Sequence, residues 1–225
     1  MILFASVIVL GFVLGFALGG RVSGFETVRV RWWGLALLGL AVQFIPLPMG
    51  PEGRDLAVRT AMLTLSYGLL LTFAIRNIRL PGVTLLLVGL TLNAAVIIAN
   101  GGMPVSVQAL VDSGQDDVLA DLQEAGADKH HLETTDDVLK PLGDVIGVPA
   151  PVGQAISIGD VLVYVGLIWF VASAMRGRIQ PSSSDAIRYR GKHRPDREAA
   201  SGPEPGSPAR HGPSLPAATT LGSEP

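Results

Sequence analysis

Five stretches of this chain are apolar enough to cross a lipid bilayer as helices. A hydrocarbon core of roughly 30 Å needs about 20 apolar residues in an α-helix. The stretches comprise residues 1–20, 32–49, 56–75, 80–99 and 156–175. Their charged residues, Arg59 and Asp160, both lie near a helix end, close to headgroup depth. The sequence therefore predicts an all-α fold, a five-helix transmembrane bundle within residues 1–178.

The composition agrees with a membrane protein and removes several functional classes. Charged residues make up 16% of the chain, whereas soluble domains contain about 25%. The net charge of -2 excludes a generally basic nucleic-acid-binding protein. Because the sequence contains no cysteine, it excludes disulfides, thiolate nucleophiles, iron–sulfur clusters and Cys-ligated zinc.

The distribution of basic residues predicts the orientation, because Lys and Arg in short flanks stay in the cytoplasm. One set of alternate flanks contains Arg21, Arg29, Arg31, Arg76, Arg79, Arg176 and Arg178. Residues 101–155 instead contain ten acidic residues against Lys129 and Lys140. We expect a bacterial plasma-membrane protein with its N-terminus outside, an ordered external loop at 101–155 and a cytoplasmic C-terminus. The first stretch lacks a basic segment before it, which favours a retained helix over a cleaved signal peptide.

Residues 179–225 are rich in Pro, Ser and Gly, so we expect a disordered cytoplasmic tail. A basic cluster interrupts this segment and is formed by Arg188, Arg190, Lys192, Arg194 and Arg197. Near a membrane it would attract anionic lipid headgroups, at roughly 1 kcal/mol per basic residue. A solvated tail that only fixes the topology explains the same residues equally well.

Residues 116–126 of the external loop predict a short amphipathic helix, with acids at its start, apolar residues at helical spacing and Gly126 at its end. Four possible metal ligands follow: His130, His131, Asp136 and Asp137. Because adjacent histidines in a strand point to opposite faces, we predict no metal and no cofactor.

Small and polar residues within the spans predict helix packing. The recurrence of Gly11, Gly15 and Gly19 permits a neighbouring helix to approach closely inside the bundle. Four polar residues, Gln43, Ser66, Tyr67 and Asn93, are expected to face helix neighbours. The spans contain no central ionisable residue and no evident inverted repeat, which argues against a transporter.

Two helix ends contain polar residues with structural explanations. Residues 100–106 form a Gly- and Pro-containing turn that is typical of a helix C-terminus. Ser157 and Asp160 have the spacing of a capping box, with Asp in place of the usual Glu or Gln.

A catalytic interpretation joins Asp144 to Asp160, two acids in apolar surroundings across a segment short enough to fold back. Two nearby carboxylates in a low-dielectric site do not both ionise easily. One then keeps a proton, and the pair can act as general acid and general base on a water molecule. The simpler alternative is a helix cap for Asp160 and a loop turn for Asp144.

Several of these segments together resemble the signature of an uncharacterised family of bacterial multi-pass membrane proteins. They are the turn at 100–106, the pair Lys129-His130, and residues 142–146 and 157–161. The family is known only as a domain of unknown function, the 5317 family. The resemblance covers roughly residues 1–175 and implies no particular activity.

A more distant similarity is to lipoprotein signal peptidases, which are intramembrane aspartic peptidases. The turn Asn100-Gly101-Gly102, Asp144 and Asp160 follow the same order as the motifs of that family, which implies that Asp144 and Asp160 are the catalytic pair and that Asn100 positions the substrate. Gly101, Gly102 and Ser157 are the other candidate substrate-binding residues. The chain departs from that family in its number of spans and lacks one of its motifs. We therefore favour a non-enzymatic membrane component whose external loop contacts a partner or lipid, with a membrane-embedded aspartic hydrolase as the alternative.

Overall fold

The structure, a computed structural model, describes residues 2–45, 53–124 and 129–177. Its helices, in chain order, are α1 (Ile2–Ala17), α2 (Trp33–Gln43), α3 (Gly53–Arg76), α4 (Val83–Asn100), α5 (Val107–Ser113), α6 (Asp116–Glu124) and α7 (Ile158–Met175). The strands among the described residues are β1 (Met103–Val105), β2 (His130–Leu132), β3 (Ile146–Val148) and β4 (Gln154–Ile156). The predicted tail, residues 179–225, and its basic cluster lie outside the described residues.

Among the described residues, three helices are long and apolar enough to cross a membrane, namely α3 from Leu56 onward, α4 and α7. The helices α1 and α2 are apolar but shorter, so the predicted number of five spans is not confirmed by helix length. α2 ends at Gln43, well inside the predicted stretch 32–49. Pro46 follows shortly afterwards, and a proline disfavours helical geometry in the residue before it.

The bundle helices expose large apolar side chains on their outer surface. Val9 of α1 is 60% exposed and Trp169 of α7 is 54% exposed. Hydroxyl groups on this surface bond within their own helices: Thr64 Oγ1 donates to the Thr60 carbonyl at 2.7 Å, and Thr91 donates in the same way. An apolar exterior whose polar groups are satisfied internally suits a lipid environment.

Glycines of α1 bring this helix close to α7. A Cβ atom at Gly11 would lie 2.9 Å from the Cβ of Val171, and one at Gly15 would overlap Met175. The predicted packing inside the bundle is therefore confirmed for Gly11 and Gly15, and the two helices run parallel. Gly19 meets no atom within 4 Å, but its φ of 76° is the left-handed conformation that follows the helix end.

Polar contacts join α2 to α3, as the sequence predicted for Gln43 and Ser66. Gln43 Nε2 donates to Ser66 Oγ at 3.1 Å, and Ser66 Oγ donates to the Gly39 carbonyl at 2.8 Å. At the other end of this helix pair, the Arg31 N–H donates to Asn77 Oδ1 at 2.8 Å. These contacts make α2 and α3 antiparallel.

Basic flanks gather at one end of the bundle. The Arg21 N–H, just after α1, donates to the carbonyl of Met175 in the last turn of α7 at 2.8 Å. The guanidinium of Arg76, at the end of α3, lies 4.4 Å from the ring centroid of Trp32. Gly82, between α3 and α4, packs against Gly166 and Phe170 of α7.

Residues 101–157 form an insert between α4 and α7 that contains the four strands. β1 pairs with β2 in parallel, with Met103 opposite His130, and β3 pairs with β4 antiparallel, with Ile146 opposite Ile156. The all-α prediction missed these strands because each is three residues long and shows no extended alternation. The helix predicted at residues 116–126 is present as α6.

The insert has a small core of its own, made by Val105, Ala109, Leu110, Leu122 and Ala155. A second cluster joins the insert to the bundle, where Met103 of β1 packs with Leu63 of α3 and Val96 of α4. The insert is therefore fixed at the end of the bundle opposite to Arg21 and Arg76.

Candidate functional site

A reciprocal pair of hydrogen bonds begins α7. Ser157 Oγ accepts the Asp160 N–H at 3.0 Å, and Asp160 Oδ2 accepts the Ser157 N–H at 3.1 Å. The capping box predicted from the Ser-x-x-Asp spacing is confirmed.

Asn93 of α4 connects this capping box to a second helix. Its Nδ2 donates to Asp160 Oδ1 at 2.8 Å, and its Oδ1 accepts from Ser157 Oγ at 3.0 Å. The contact depends on Gly159, because a Cβ there would overlap the Asn93 side chain and lie 2.9 Å from the Gly89 carbonyl oxygen. Both carboxyl oxygens of Asp160 thus accept hydrogen bonds: Oδ2 caps α7, and Oδ1 links α7 to α4.

Asp144 lies in the insert, where its backbone continues the hydrogen bonding of β1. Its N–H donates to the Pro104 carbonyl at 2.9 Å, and its carbonyl accepts the Ser106 N–H at 3.1 Å. The preceding Gly143 packs so closely that a Cβ there would lie 2.6 Å from the Pro104 carbonyl oxygen. These backbone contacts hold Asp144 in a position where it is only 5% exposed.

The carboxyl group of Asp144 is incompletely satisfied. Oδ1 is buried and has no hydrogen-bond partner among the described residues. Oδ2 lies 3.6 Å from Nε2 of His130, which is longer than a hydrogen bond. Burial, together with the nearby charge of Asp160, raises the pKa of Asp144 to about 8. This carboxyl therefore keeps its proton near neutral pH.

A cavity of about 500 Å³ opens beside Asp144 in the insert. Apolar side chains form part of its wall, namely Val105, Leu110, Val118, Leu122, Val152 and Ala155, and the polar residues Gln115 and Gln154 also line it. The ionisable groups that line it are Asp144 and His130. A half-enclosed cavity in which a few polar groups converge among apolar side chains is typical of a small-molecule binding site.

Two tyrosines of the bundle lie near both aspartates. Tyr67 of α3 and Tyr164 of α7 are within electrostatic range of Asp144 and Asp160, and the hydroxyl of Tyr67 interacts with Asn93. The two acids singled out from the sequence therefore share one polar region, at the junction of the bundle and the insert.

The turn after α4 makes contacts that fix the backbone. Asn100 Nδ2 donates to the Val138 carbonyl at 3.0 Å, and Asn100 Oδ1 accepts the Val138 N–H at 2.9 Å. Gly101 has a φ of 69°, and its carbonyl accepts from Arg59 Nε at 3.1 Å. Gly102 packs against β2. Asn100, Gly101 and Gly102 are not among the residues that line the cavity, and neither is Ser157.

The two adjacent histidines contact different acids. His131 Nε2 lies 2.9 Å from Asp137 Oδ1, and Asp137 Oδ2 accepts the Thr134 N–H at 2.7 Å. Although burial opposes the shift, these hydrogen bonds hold the pKa of Asp137 below its usual value. Within the part of the chain that the structure describes, no group of three or more His, Asp or Glu side chains could hold a metal ion.

Neither the contact between Asp144 and His130 nor the cavity beside them was predicted from the sequence. Parallel pairing of β1 with β2 brings His130 to β1, and Asp144 bridges Val105 of the same strand. Pairing between such short, distant segments leaves no local pattern from which it could be read. The adjacent histidines of the acidic loop were the available signal, but they were considered only as possible metal ligands, and their opposite directions in a strand led us to predict no metal.

Comparison with known proteins gives a family but no activity. A family model described as "Family of unknown function (DUF5317)" matches residues 27–172, which includes the capping box, Asp144 and the cavity. An uncharacterized protein of Thermotoga maritima is 34% identical over 125 residues, an alignment that covers 54% of this chain and 68% of the relative. No solved structure matches this chain. The family suggested by the sequence motifs is thereby confirmed, and the chain belongs to the family of unknown function DUF5317.

Proposed function

We propose that this chain is a five-span plasma-membrane protein with its N-terminus and its insert outside the cytoplasm and its C-terminus inside. The gathering of basic flanks at one end of the bundle and the acidic insert at the other support this orientation. The shorter helices α1 and α2 would then span with the help of flanking arginines and of Trp32, which reach into the headgroup region.

Cysteine labelling tests this orientation, because a single introduced cysteine is the only thiol in the chain. Val111 of the insert is 50% exposed and Ile78, between α3 and α4, is 44% exposed. A membrane-impermeant maleimide should label Val111→Cys in intact cells and Ile78→Cys only after the membrane is opened. The reverse pattern would contradict the orientation.

For this membrane protein, the function that the geometry supports best is ligand binding by the insert, without catalysis. The observation that carries this proposal is the Asp144 carboxyl, which is buried, lacks a partner for Oδ1 among the described residues, and lines a cavity of about 500 Å³. A buried polar group that is not satisfied by the protein is costly. A ligand that supplies the missing partner would offset that cost.

Filling the cavity tests this function. Val118 lines the cavity and is 38% exposed, so Val118→Trp should obstruct the cavity without disturbing the core. Val111→Trp is the matched control on an exposed surface of the insert. After purification in mild detergent, mass spectrometry should find a small molecule retained by the wild type and by Val111→Trp but lost from Val118→Trp. Identical contents in all three proteins would contradict the proposal.

The basic cluster of the tail, which includes Arg188 and Arg197, would hold the tail against anionic headgroups on the cytoplasmic side. Vesicles with and without anionic lipid test this proposal on the full chain. Replacing the five basic residues of the cluster by glutamine should abolish any preference of the tail for anionic vesicles.

A membrane-embedded hydrolase acting on a peptide or lipid-linked substrate is the second candidate function. The observation in its favour is that the charge of Asp160 raises the pKa of Asp144, as in a pair of acids that share a proton. Protonated Asp144 would act as the general acid and Asp160 as the general base. If the protein is a hydrolase, Asp144→Asn and Asp160→Asn should both fold and both lose hydrolysis. If the insert only binds a ligand, binding should depend on Asp144 and not on Asp160.

A further inference from the structure

We propose that the cavity beside Asp144 binds a small amphipathic cation, an ammonium group carried on an apolar body. This inference rests on the proposed binding function and specifies its ligand class. Its basis is the placement of one buried, incompletely hydrogen-bonded carboxyl group beside apolar side chains in the cavity wall.

The polar side chains that line the cavity are those of Asp144, His130, Gln115 and Gln154, and Asp144 contributes a buried oxygen that has no hydrogen bond among the described residues. Gln115 also lines the cavity, but its Oε1 already accepts the Ala155 N–H at 2.8 Å and the Ser113 hydroxyl at 3.1 Å. Among the described residues, Asp144 Oδ1 is the buried side-chain oxygen left without a hydrogen bond. A ligand therefore gains most by placing a donor at this carboxyl.

The charge of the donor follows from the surroundings. An ionised carboxylate in an apolar wall needs an opposite charge in direct contact, and charge-assisted hydrogen bonds are about twice as strong as neutral ones. His130 Nε2, at 3.6 Å from Oδ2, is too distant for a hydrogen bond and its side chain is 51% exposed. A cation inside the cavity can approach the carboxyl more closely than this.

The field of the insert favours the same ligand. Between residues 101 and 155 the sequence contains ten acidic residues against Lys129 and Lys140. Clefts in surfaces with one sign of charge concentrate ligands of the opposite sign. The apolar side chains of Val118, Leu122 and Val152 then receive the ligand body.

Binding of the ammonium should release one proton from Asp144. The protonated carboxyl loses its proton to solvent, and the resulting carboxylate pairs with the ammonium, so charge and atoms balance. The titratable groups around Asp144 are His130 of β2, Asp160 and Tyr164 of α7 and Tyr67 of α3. The affinity should rise about tenfold per pH unit up to the pKa of Asp144, about 8, and then level off.

Three matched probes test the ligand class: benzylammonium, benzyl alcohol and benzoate share one ring and differ in the head group. Binding is measured by ligand-observed NMR on the full chain in detergent. We expect benzylammonium to bind at least about tenfold more tightly than benzyl alcohol, and benzoate not to compete. Asp144→Asn should abolish this preference, while Asp121→Asn, the same charge change on an exposed position of α6, should keep it. Circular dichroism establishes that both variants are folded.

The outcomes separate the ligand class from the binding function. A preference for benzoate, or a benzylammonium preference that survives Asp144→Asn, would overturn the cationic ligand. If benzyl alcohol and benzoate bind as well as benzylammonium and Val118→Trp excludes all three, the cavity is a binding site but the cationic ligand class is wrong. If none of the probes binds the wild type, both the binding function and its ligand class fail.

Discussion

The two aspartates singled out from the sequence differ in how their carboxyl groups are hydrogen-bonded. Asp160 accepts hydrogen bonds on both oxygens, from Asn93 and from Ser157, and so joins α4 to α7. Asp144 is buried with one oxygen unpartnered among the described residues, and it lines a cavity. An acid whose two oxygens both accept hydrogen bonds stabilises a fold, whereas a buried acid with an unsatisfied oxygen costs stability and is a candidate functional group.

The largest effect is expected at the tight contact beneath Asp160. Gly159→Leu would drive a side chain into Asn93 and the backbone of Gly89, so we expect a loss of about 3 kcal/mol in the free energy of unfolding. Gly68→Leu is the matched control, because a Cβ at Gly68 meets no atom within 4 Å. Thermal unfolding in detergent measures both variants, and equal melting temperatures would show that the α4–α7 contact is not close.

The capping box should contribute less than the glycine contact. Ser157→Ala removes the cap of α7 and one bond to Asn93, so we expect a loss of about 1–2 kcal/mol in the free energy of unfolding. The measurement is again thermal unfolding. If Ser157→Ala is as stable as the wild type, the capping box that Asp160 forms with Ser157 does not stabilise the fold.

The contribution of Asp144 to stability should depend on pH. Its folded-state pKa of about 8 lies above the ordinary value of 3.8, so the folded protein binds this proton more tightly than the unfolded chain. Its contribution to stability is fully present below the ordinary value and is lost as pH rises through the folded value. The melting temperature of the wild type should therefore fall over this range more steeply than that of Asp144→Asn. Parallel pH profiles would contradict the buried protonated acid.

The smallest effect is expected at Asn100, whose side chain mimics a backbone partner for Val138. Asn100→Ala should lower the free energy of local opening by about 1 kcal/mol, which speeds exchange of the Val138 amide about fivefold. Hydrogen exchange measures this rate. Unchanged exchange at Val138 would free Asn100 for the substrate contact implied by the signal-peptidase similarity.

The sequence predicted those parts of the fold that arise from local patterns. Apolar runs located the helices of the bundle, and Ser157 with Asp160 announced a helix start because capping involves residues three apart. We predicted the end of α2 too far along the chain, because the sequence stays apolar past Pro46 whereas the helix ends at Gln43.

The candidate site could be predicted only in part. Asp144 and Asp160 were recognised as acids in apolar surroundings, but their different hydrogen bonding depends on Asn93, which lies on another helix. Asp144 and His130 come together because β1 and β2 pair in parallel. This pairing was hard to predict, because Pro104 in β1 argues against a strand. Non-local contacts of this kind follow from the packed structure and not from spacing in the chain.

The protonation of Asp144 can be observed directly by infrared difference spectroscopy of the full chain. Spectra are taken about two pH units below and above the pKa of about 8. We expect the carbonyl band of a protonated, buried carboxyl group at the lower pH, its loss at the higher pH, its absence from Asp144→Asn and its persistence in Asp121→Asn. The absence of this band from the wild type, or its survival in Asp144→Asn, would show that Asp144 is not the buried, proton-holding group of the cavity.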